Sequence, residues 1–200
     1  MFNAIFTEEL AILKNRKETT KWADSTYESV KDADTTVKGD FGEAVMSRCL
    51  TSLGIVADIV DKGKGDFDIL LANTVKLENK LATEDSKNKF QFNGIKVDIN
   101  YDFVTLVAVS PEEIRFDIVI KGDFYRKRDM KAGVLFGRSF VPMTRDGDDT
   151  YKLHVSKEDL IPLTEENLLN KLIDLNIIDG ETANTVVEKL IAKGMIDKQD

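Results

Sequence analysis

The sequence predicts an α/β fold, and three observations carry that expectation. Apolar residues in 39–54 recur at helical spacing, as Phe41, Val45, Met46, Cys49, Leu50 and Leu53. Residues 65–80 and 113–121 instead alternate with a period of two, the mark of strands with one buried face. After Thr164 the helical spacing returns, in Leu168, Leu169, Leu172 and Ile173. A chain of 200 residues fits one domain with a small appendage. Its 42% hydrophobic and 32% charged residues are those of an ordinary globular protein.

Taken in order, residues 6–31 read as a helix with Leu10, Ile12 and Leu13 apolar, followed by Trp22 and Tyr27 packing on the main body. DADTTVK (32–38) reads as a connection. GDFGEAVMSRCLTSLG (39–54) is the first strong helix, with Gly54 as its terminating residue. At 100° per residue, Glu43 falls about 20° beyond Leu50, at the edge of the apolar stripe. There it either reaches into a site the helix covers or simply favours the first helical turn. Ile55–Val60 reads as a strand and DKGKG (61–65) as a turn. TEDSKNK (83–89) is a charged loop, and FQFNGI (90–95) begins a short helix or an extended edge. Tyr101–Val109 is apolar nearly throughout and reads as a central strand. Glu113–Lys121 alternates through Ile114, Phe116, Ile118 and Ile120. TRDGDDT (144–150) is a loop, and Tyr151–Val155 a short strand whose His154 is structural. A helical hairpin closes the chain, capped at Thr164, broken at Asp179 and Gly180, and stopped at Gly194.

Composition narrows the chemistry. One cysteine, Cys49, excludes an intrachain disulfide, and one histidine, His154, excludes a histidine-cluster metal site. A metal site must therefore be built from carboxylates, which favour Mg²⁺ or Mn²⁺ over Zn²⁺. No apolar run is long enough to span a bilayer, and MFNAIFTEELAILKNRKE lacks the parts of a secretory signal. A cytoplasmic protein without a membrane partner is expected. The formal charge of −8 disfavours unspecific adhesion to nucleic acid. Within it, residues 121–138 reverse the sign, with Lys121, Arg126, Lys127, Arg128, Lys131 and Arg138 against only Asp123 and Asp129. Such a cluster can neutralise phosphates, and a solvated basic helix face has the same composition.

The stretch GDFDILLANTVKLENK (65–80) is the centre of the reading. Asp66, Asp68 and Leu70, then Lys76, Glu78 and Lys80, follow a period of two, with Phe67, Ile69, Leu71, Val75 and Leu77 between them. Two strands joined by a tight turn at Ala72 and Asn73 would gather acids and a lysine on one surface. Two carboxylates and an ammonium there suit a divalent cation and an activated water. A hairpin with a solvated charged face would carry the same pattern.

The order of a helix with Glu43, a strand, Asp68, then Glu78-Asn79-Lys80 resembles the PD-(D/E)xK nuclease superfamily over about residues 39–121. GDFGEAV, GDFDILL, KLENK, KFQFNGI and YDFVTLVAVSPEEI carry the resemblance. It implies a restriction-endonuclease-like mixed central sheet flanked by helices. The implied domain spans 1–160, with the helical hairpin, 161–200, as an appendage. It further implies phosphodiester hydrolysis, with Mg²⁺ or Mn²⁺ held by Asp68 and Glu78 and a backbone carbonyl near Asn79 as a further ligand. Lys80 would orient the water or stabilise negative charge, Glu43 would assist at the metal, and Gln91 matches a glutamine of some of these nucleases. Asp68 is not preceded by proline, and Asp66 competes for its role; Asp68 is preferred because Ile69-Leu70-Leu71 follows it directly.

The function expected is a restriction-type, Mg²⁺-dependent endodeoxyribonuclease acting on duplex DNA as a homodimer. A junction-resolvase-like nuclease and a non-catalytic DNA-binding or assembly protein on the same fold are the alternatives. The metal site sets a geometric condition. A two-residue turn would pair Asp68 with Leu77 and throw Asp68 and Glu78 onto opposite faces. A three-residue turn or a bulge between Leu70 and Lys76 would pair Asp68 with Glu78 and put them on one face.

Overall fold

The computed structural model describes residues 21–61, 66–96, 99–122, 133–135, 138–142, 150–192 and 194. Most of the helix expected over 6–31, the turn at 62–65 and the basic run 123–132 lie outside the described residues. What is described of the N-terminal region is a set of turns and a five-residue helix, α1 (Glu28–Asp32). Trp22 and Val30 are buried there against Val109, with Tyr27 and Phe41 packed alongside.

Helix α2 spans Thr35–Ser52 and so starts four residues earlier than expected. Its cause is Asp34, whose side chain accepts the Val37 N–H at 2.9 Å and caps the first turn. The connection expected over 32–38 shrinks accordingly. The helix ends as expected, with Gly54 in the left-handed region at φ +82°.

The fold is mixed α/β. Six strands form one sheet: β1 (Ala57–Ile59), β2 (Ile69–Leu71), β3 (Val75–Thr83), β5 (Phe103–Val109), β6 (Ile114–Ile120) and β10 (Ile161–Pro162). They lie in the order β1-β2-β3-β5-β6-β10, with β3 and β5 parallel and the other pairs antiparallel. β5 is central, as its unbroken apolar run demands. A second, antiparallel sheet has the order β4-β9-β8-β7, from β4 (Lys89–Lys96), β9 (Thr150–Ser156), β8 (Arg138–Pro142) and β7 (Gly133–Leu135). FQFNGI is thus an edge strand and not a helix. The helix-face alternative for 121–138 fails at its C-terminal end, which is strand in β7 and at Arg138.

Two apolar clusters hold these layers together, one on each face of the six-stranded sheet. Leu77, Ile69, Val107 and Phe116 meet Met46 and Leu50 of α2 and the C-terminal helices. Ala82, Val104, Leu106 and Val119 meet Phe90, Phe92, Leu153 and Val155 of the second sheet. The period of two in β3 therefore points Leu77, Asn79 and Leu81 toward the helices and Glu78 and Lys80 toward the second sheet. Ser47 fastens α2 to the sheet by donating its hydroxyl to the Ala57 carbonyl at 2.6 Å.

The helical hairpin comprises α3 (Glu165–Asp174) and α4 (Gly180–Ala192). Thr164 caps α3 as expected, accepting the Asn167 N–H at 3.2 Å. The break differs from expectation. Asn176 turns the chain in the left-handed region at φ +52°. Asp179 then caps α4 by accepting the Thr182 N–H at 2.7 Å, and Gly180 opens that helix. Leu168, Leu172, Ala183, Val186 and Leu190 share one apolar cluster with Met46 and Leu50. Lys171 adds an ion pair to Asp117 of β6 at 2.8 Å.

Helix α2 lies close against β3 at Gly42. A Cβ there would sit 2.9 Å from Asn79 Nδ2 and 3.0 Å from Leu81 Cβ, whereas one at Gly39 meets nothing within 4 Å. The Leu81 Cβ is tied to its backbone and cannot swing aside. Gly42→Ala should therefore lower the unfolding free energy by about 1 kcal/mol, overpacking outweighing the gain in helix propensity. Gly39→Ala on the same helix should raise it by up to ~1 kcal/mol. Urea denaturation of the two variants checks the contrast.

Candidate active site

The turn between β2 and β3 decides which side chains can meet. Ala72 and Asn73 both adopt the left-handed conformation, at φ +49° and +60°, and the Thr74 N–H donates to the Leu71 carbonyl at 3.1 Å. Leu71 pairs with Val75, Leu70 with Lys76 and Ile69 with Leu77. The loop is Ala72–Thr74, three residues long, as the geometric condition required. Carrying this register one step further sets Asp68 against Glu78.

There the ladder stops. β2 pairs with Val75–Leu77 of β3, and among the described residues no strand lies on that side of β3 from Asn79 to Thr83. The Asp68 N–H still reaches the Leu77 carbonyl at 2.9 Å. Its carboxylate then replaces the missing strand, with Oδ2 accepting the Asn79 N–H at 2.7 Å. This bond fixes Asp68 at the mouth of the unpaired edge. The N–H and C=O of one strand residue point the same way, so the Asn79 carbonyl lies on that edge too.

Glu78 and Lys80 occupy the face toward the second sheet and form an ion pair with each other. Glu78 is only 6% exposed. Burial pushes its carboxyl above the usual carboxylate range; the Lys80 and Lys96 charges pull it down and the negative charge of Asp68 pushes it up. Asn79, between them, points to the opposite face. Its Oδ1 accepts from Thr105 Oγ1 at 2.6 Å, while its Nδ2 is buried beside Gly42 without a hydrogen-bond partner.

An open cleft of about 580 Å³ runs along the unpaired edge of β3. Asp68, Asn79 and Lys80 line it from the hairpin, Glu43 from α2, and Gln91 and Asn93 from β4. Four of the five residues singled out from the sequence thus share this cleft, and Glu78 lies against it through Lys80. Asp66 is exposed and does not line it. Gln91 Nε2 donates to Asn93 Oδ1 at 2.9 Å, so the two amides act as a pair. Asn93 was missed in the sequence, and of Asn79 only the nearby backbone carbonyl was expected. Asn93 stands two residues after Gln91 on the same strand face, a signal that depended on reading FQFNGI as a strand.

The donor set fits a hard divalent cation. Burial, and then the charge of Asp68, make Glu78 costly to ionise, and a cation beside it would relieve that cost. Among the described residues, no three or more His, Cys, Asp or Glu side chains gather as a metal cage. A cation here would rely on two carboxylates, a carbonyl and water.

The basic run is a different matter. Lys121 donates to the Ile99 carbonyl and lies 4.8 Å from the centre of the Tyr101 ring, which holds it in a structural role. Arg126, Lys127, Arg128 and Lys131 lie outside the described residues. Arg138 is placed on β8 by its backbone alone.

The raised Glu78 value has a consequence for stability. The folded state holds this proton more tightly than the unfolded chain. That contribution is full below the ordinary glutamate range and is lost as pH rises through the folded value. Denaturation midpoints of the wild type and Glu78→Gln, followed from about pH 4 to about pH 8, should separate as pH rises, the wild type losing more. Parallel curves would show that Glu78 titrates normally.

No protein-family model matches the sequence, and no curated protein matches it. Among solved structures, the chain is similar to a bacterial homing endonuclease at 14% identity, over 62% of this chain and 77% of that one, with a TM-score of 0.39. A likeness this loose carries no inference about activity.

Proposed function

We propose that the protein is a metal-dependent endonuclease of the PD-(D/E)xK type, hydrolysing phosphodiester bonds in duplex DNA. The observation that carries this reading is the three-residue turn at Ala72–Thr74. Its register, counted one residue past Ile69 and Leu77, brings Asp68 level with Glu78, and Asp68 and Lys80 line the same cleft, which supports the reading. Asp68 and Glu78 would hold Mg²⁺ or Mn²⁺ together with the Asn79 carbonyl. Such an ion supplies a polarised phosphate and a water more acidic than bulk.

The remaining chemistry belongs to the chain. Lys80 Nζ, poised between Glu78 and the cleft, can donate to an attacking water or to a phosphoryl oxygen and so stabilise charge that grows during bond cleavage. Glu43 supplies a further acceptor from α2, and the Gln91–Asn93 pair supplies amide donors that position a phosphate without neutralising it. The open form of the cleft suits a polymer better than a small molecule, which is normally enclosed. One such site cuts one strand, so double-strand cleavage would use a homodimer.

Asp68→Ala and Lys80→Ala should each reduce Mg²⁺-dependent cleavage by about a hundredfold or more while leaving the folded state intact. Plasmid, branched and single-stranded DNA serve as substrates, which separates a restriction-type enzyme from a junction resolvase. Full activity of either variant would overturn the site. Mg²⁺ should also raise the thermal midpoint of the wild type and not that of Asp68→Asn, a readout independent of catalysis. Wild-type protein that neither cleaves DNA nor responds to Mg²⁺ would leave the non-catalytic DNA-binding reading.

A further inference from the structure

Strand β4 is not regular, and its irregularity concerns a single side chain. Lys89–Phe92 pair with Ser156–Leu153, but Ile95 and Lys96 pair with Tyr151 and Thr150. One extra residue therefore sits between Phe92 and Ile95. Gly94 lies there at φ +72°, the left-handed backbone that a bulge of this kind uses. Unbroken alternation from Phe90 and Phe92 would send Lys96 to the buried side and Ile95 to solvent. With the bulge, Ile95 is fully buried and Lys96 is exposed.

The position of Lys96 is also held. The Tyr101 hydroxyl donates to its carbonyl at 2.5 Å, and Tyr101 itself is buried in the apolar cluster between the sheets. The strand that carries Lys96 contributes Gln91 and Asn93 to the cleft. The charge of Lys96 favours ionised Glu78, though less than that of Lys80. In a chain of net charge −8, a bulge and a pinned backbone thus present one positive charge on the strand that supplies Gln91 and Asn93 to the cleft.

We propose that the outward face of β4 is the track for the sugar–phosphate backbone of the nucleic-acid substrate, with Lys96 neutralising a phosphate next to Asp68, Glu78 and Lys80. This rests on the nuclease reading and adds the path of the substrate to it. Gln91 and Asn93 hold neighbouring phosphate oxygens by hydrogen bonds, and Lys96 supplies the counterion release that makes binding depend on salt.

Binding of a fluorescently labelled duplex DNA, read by anisotropy without divalent cation, tests the track in the full chain carrying Asp68→Asn. Adding Lys96→Gln should weaken binding several-fold at low salt and reduce the slope of log affinity against log salt by about one. Lys96→Arg should retain both. Lys189→Gln, the same charge change on the exposed side of α4, should alter neither. An unchanged slope in Lys96→Gln, an equal loss in Lys189→Gln, or no DNA binding by the parent would overturn the proposal. The two readings fail separately. Lys96-dependent binding without any Mg²⁺-dependent cleavage by the Asp68 protein would remove the nuclease and keep the track. Asp68-dependent cleavage with an unmoved slope would do the reverse.

Discussion

The hydrogen bond from the Asn79 N–H to the Asp68 carboxylate is the contact on which the candidate site depends. It stands where a strand should be. Had β2 continued past Ile69, its backbone would have met Asn79 and closed the edge of β3. Instead a side chain takes over, and a carboxylate ends up at the boundary between paired and unpaired sheet. The turn makes this possible, because two left-handed residues, Ala72 and Asn73, add the one residue that sets the register. Sheet register has a period of two, so one residue more or less would have sent Asp68 and Glu78 to opposite faces.

The same geometry accounts for the electrostatics. An open sheet edge invites pairing with other chains, and charged groups along it discourage that. Asp68 and Lys80 stand on this edge with Glu78 just inside it. Glu78 is costly to ionise because it has left water, yet Lys80 beside it keeps that cost from being uncompensated. A cation beside Glu78 would have to displace the proton that burial favours, so its binding would release a proton and depend on pH.

Much of the fold was legible in the sequence, because the decisive segments are strongly periodic. β5 and β6 follow from apolar runs and alternation, α2 and α3 from stripes and caps, and the β2–β3 hairpin from GDFDILLANTVKLENK. The condition on its turn could be stated from residue counting alone. What was not legible depends on tertiary context. FQFNGI reads ambiguously because Asn93 and Gly94 interrupt the alternation at the bulge. β7, β8 and β10 are two to five residues long and are defined by their neighbours more than by their own sequence. Asp179-Gly180 looks like a break, but an aspartate that caps a helix and one that ends a helix are the same residue in sequence. Of the candidate site, the period of two offered Asp66, Asp68, Glu78 and Lys80, and the resemblance to a nuclease family chose Asp68, Glu78 and Lys80 among them. Asn93 could be found only by reading FQFNGI as a strand, and Lys96 not at all, since its exposure depends on an extra residue that only the pairing reveals.

The parallel pairing of β3 with β5 has one more consequence. Parallel neighbours cannot be joined by a tight turn, so the chain must travel back before β5 can begin. Here the return trip is β4, laid down in the other sheet. The floor of the cleft and its wall are therefore consecutive in the chain, and residues 68–96 supply Asp68, Asn79, Lys80, Gln91 and Asn93 to it, with Glu43 coming from α2. Contacts so close along the chain cost little loop-closure entropy. In folding terms, the carboxylates and the β4 wall can come together as one local unit. Glu43 comes from α2, which packs on β3 through the gap left by the missing side chain of Gly42, so one helix both walls the cleft and covers the apolar face of Leu77 and Ile69.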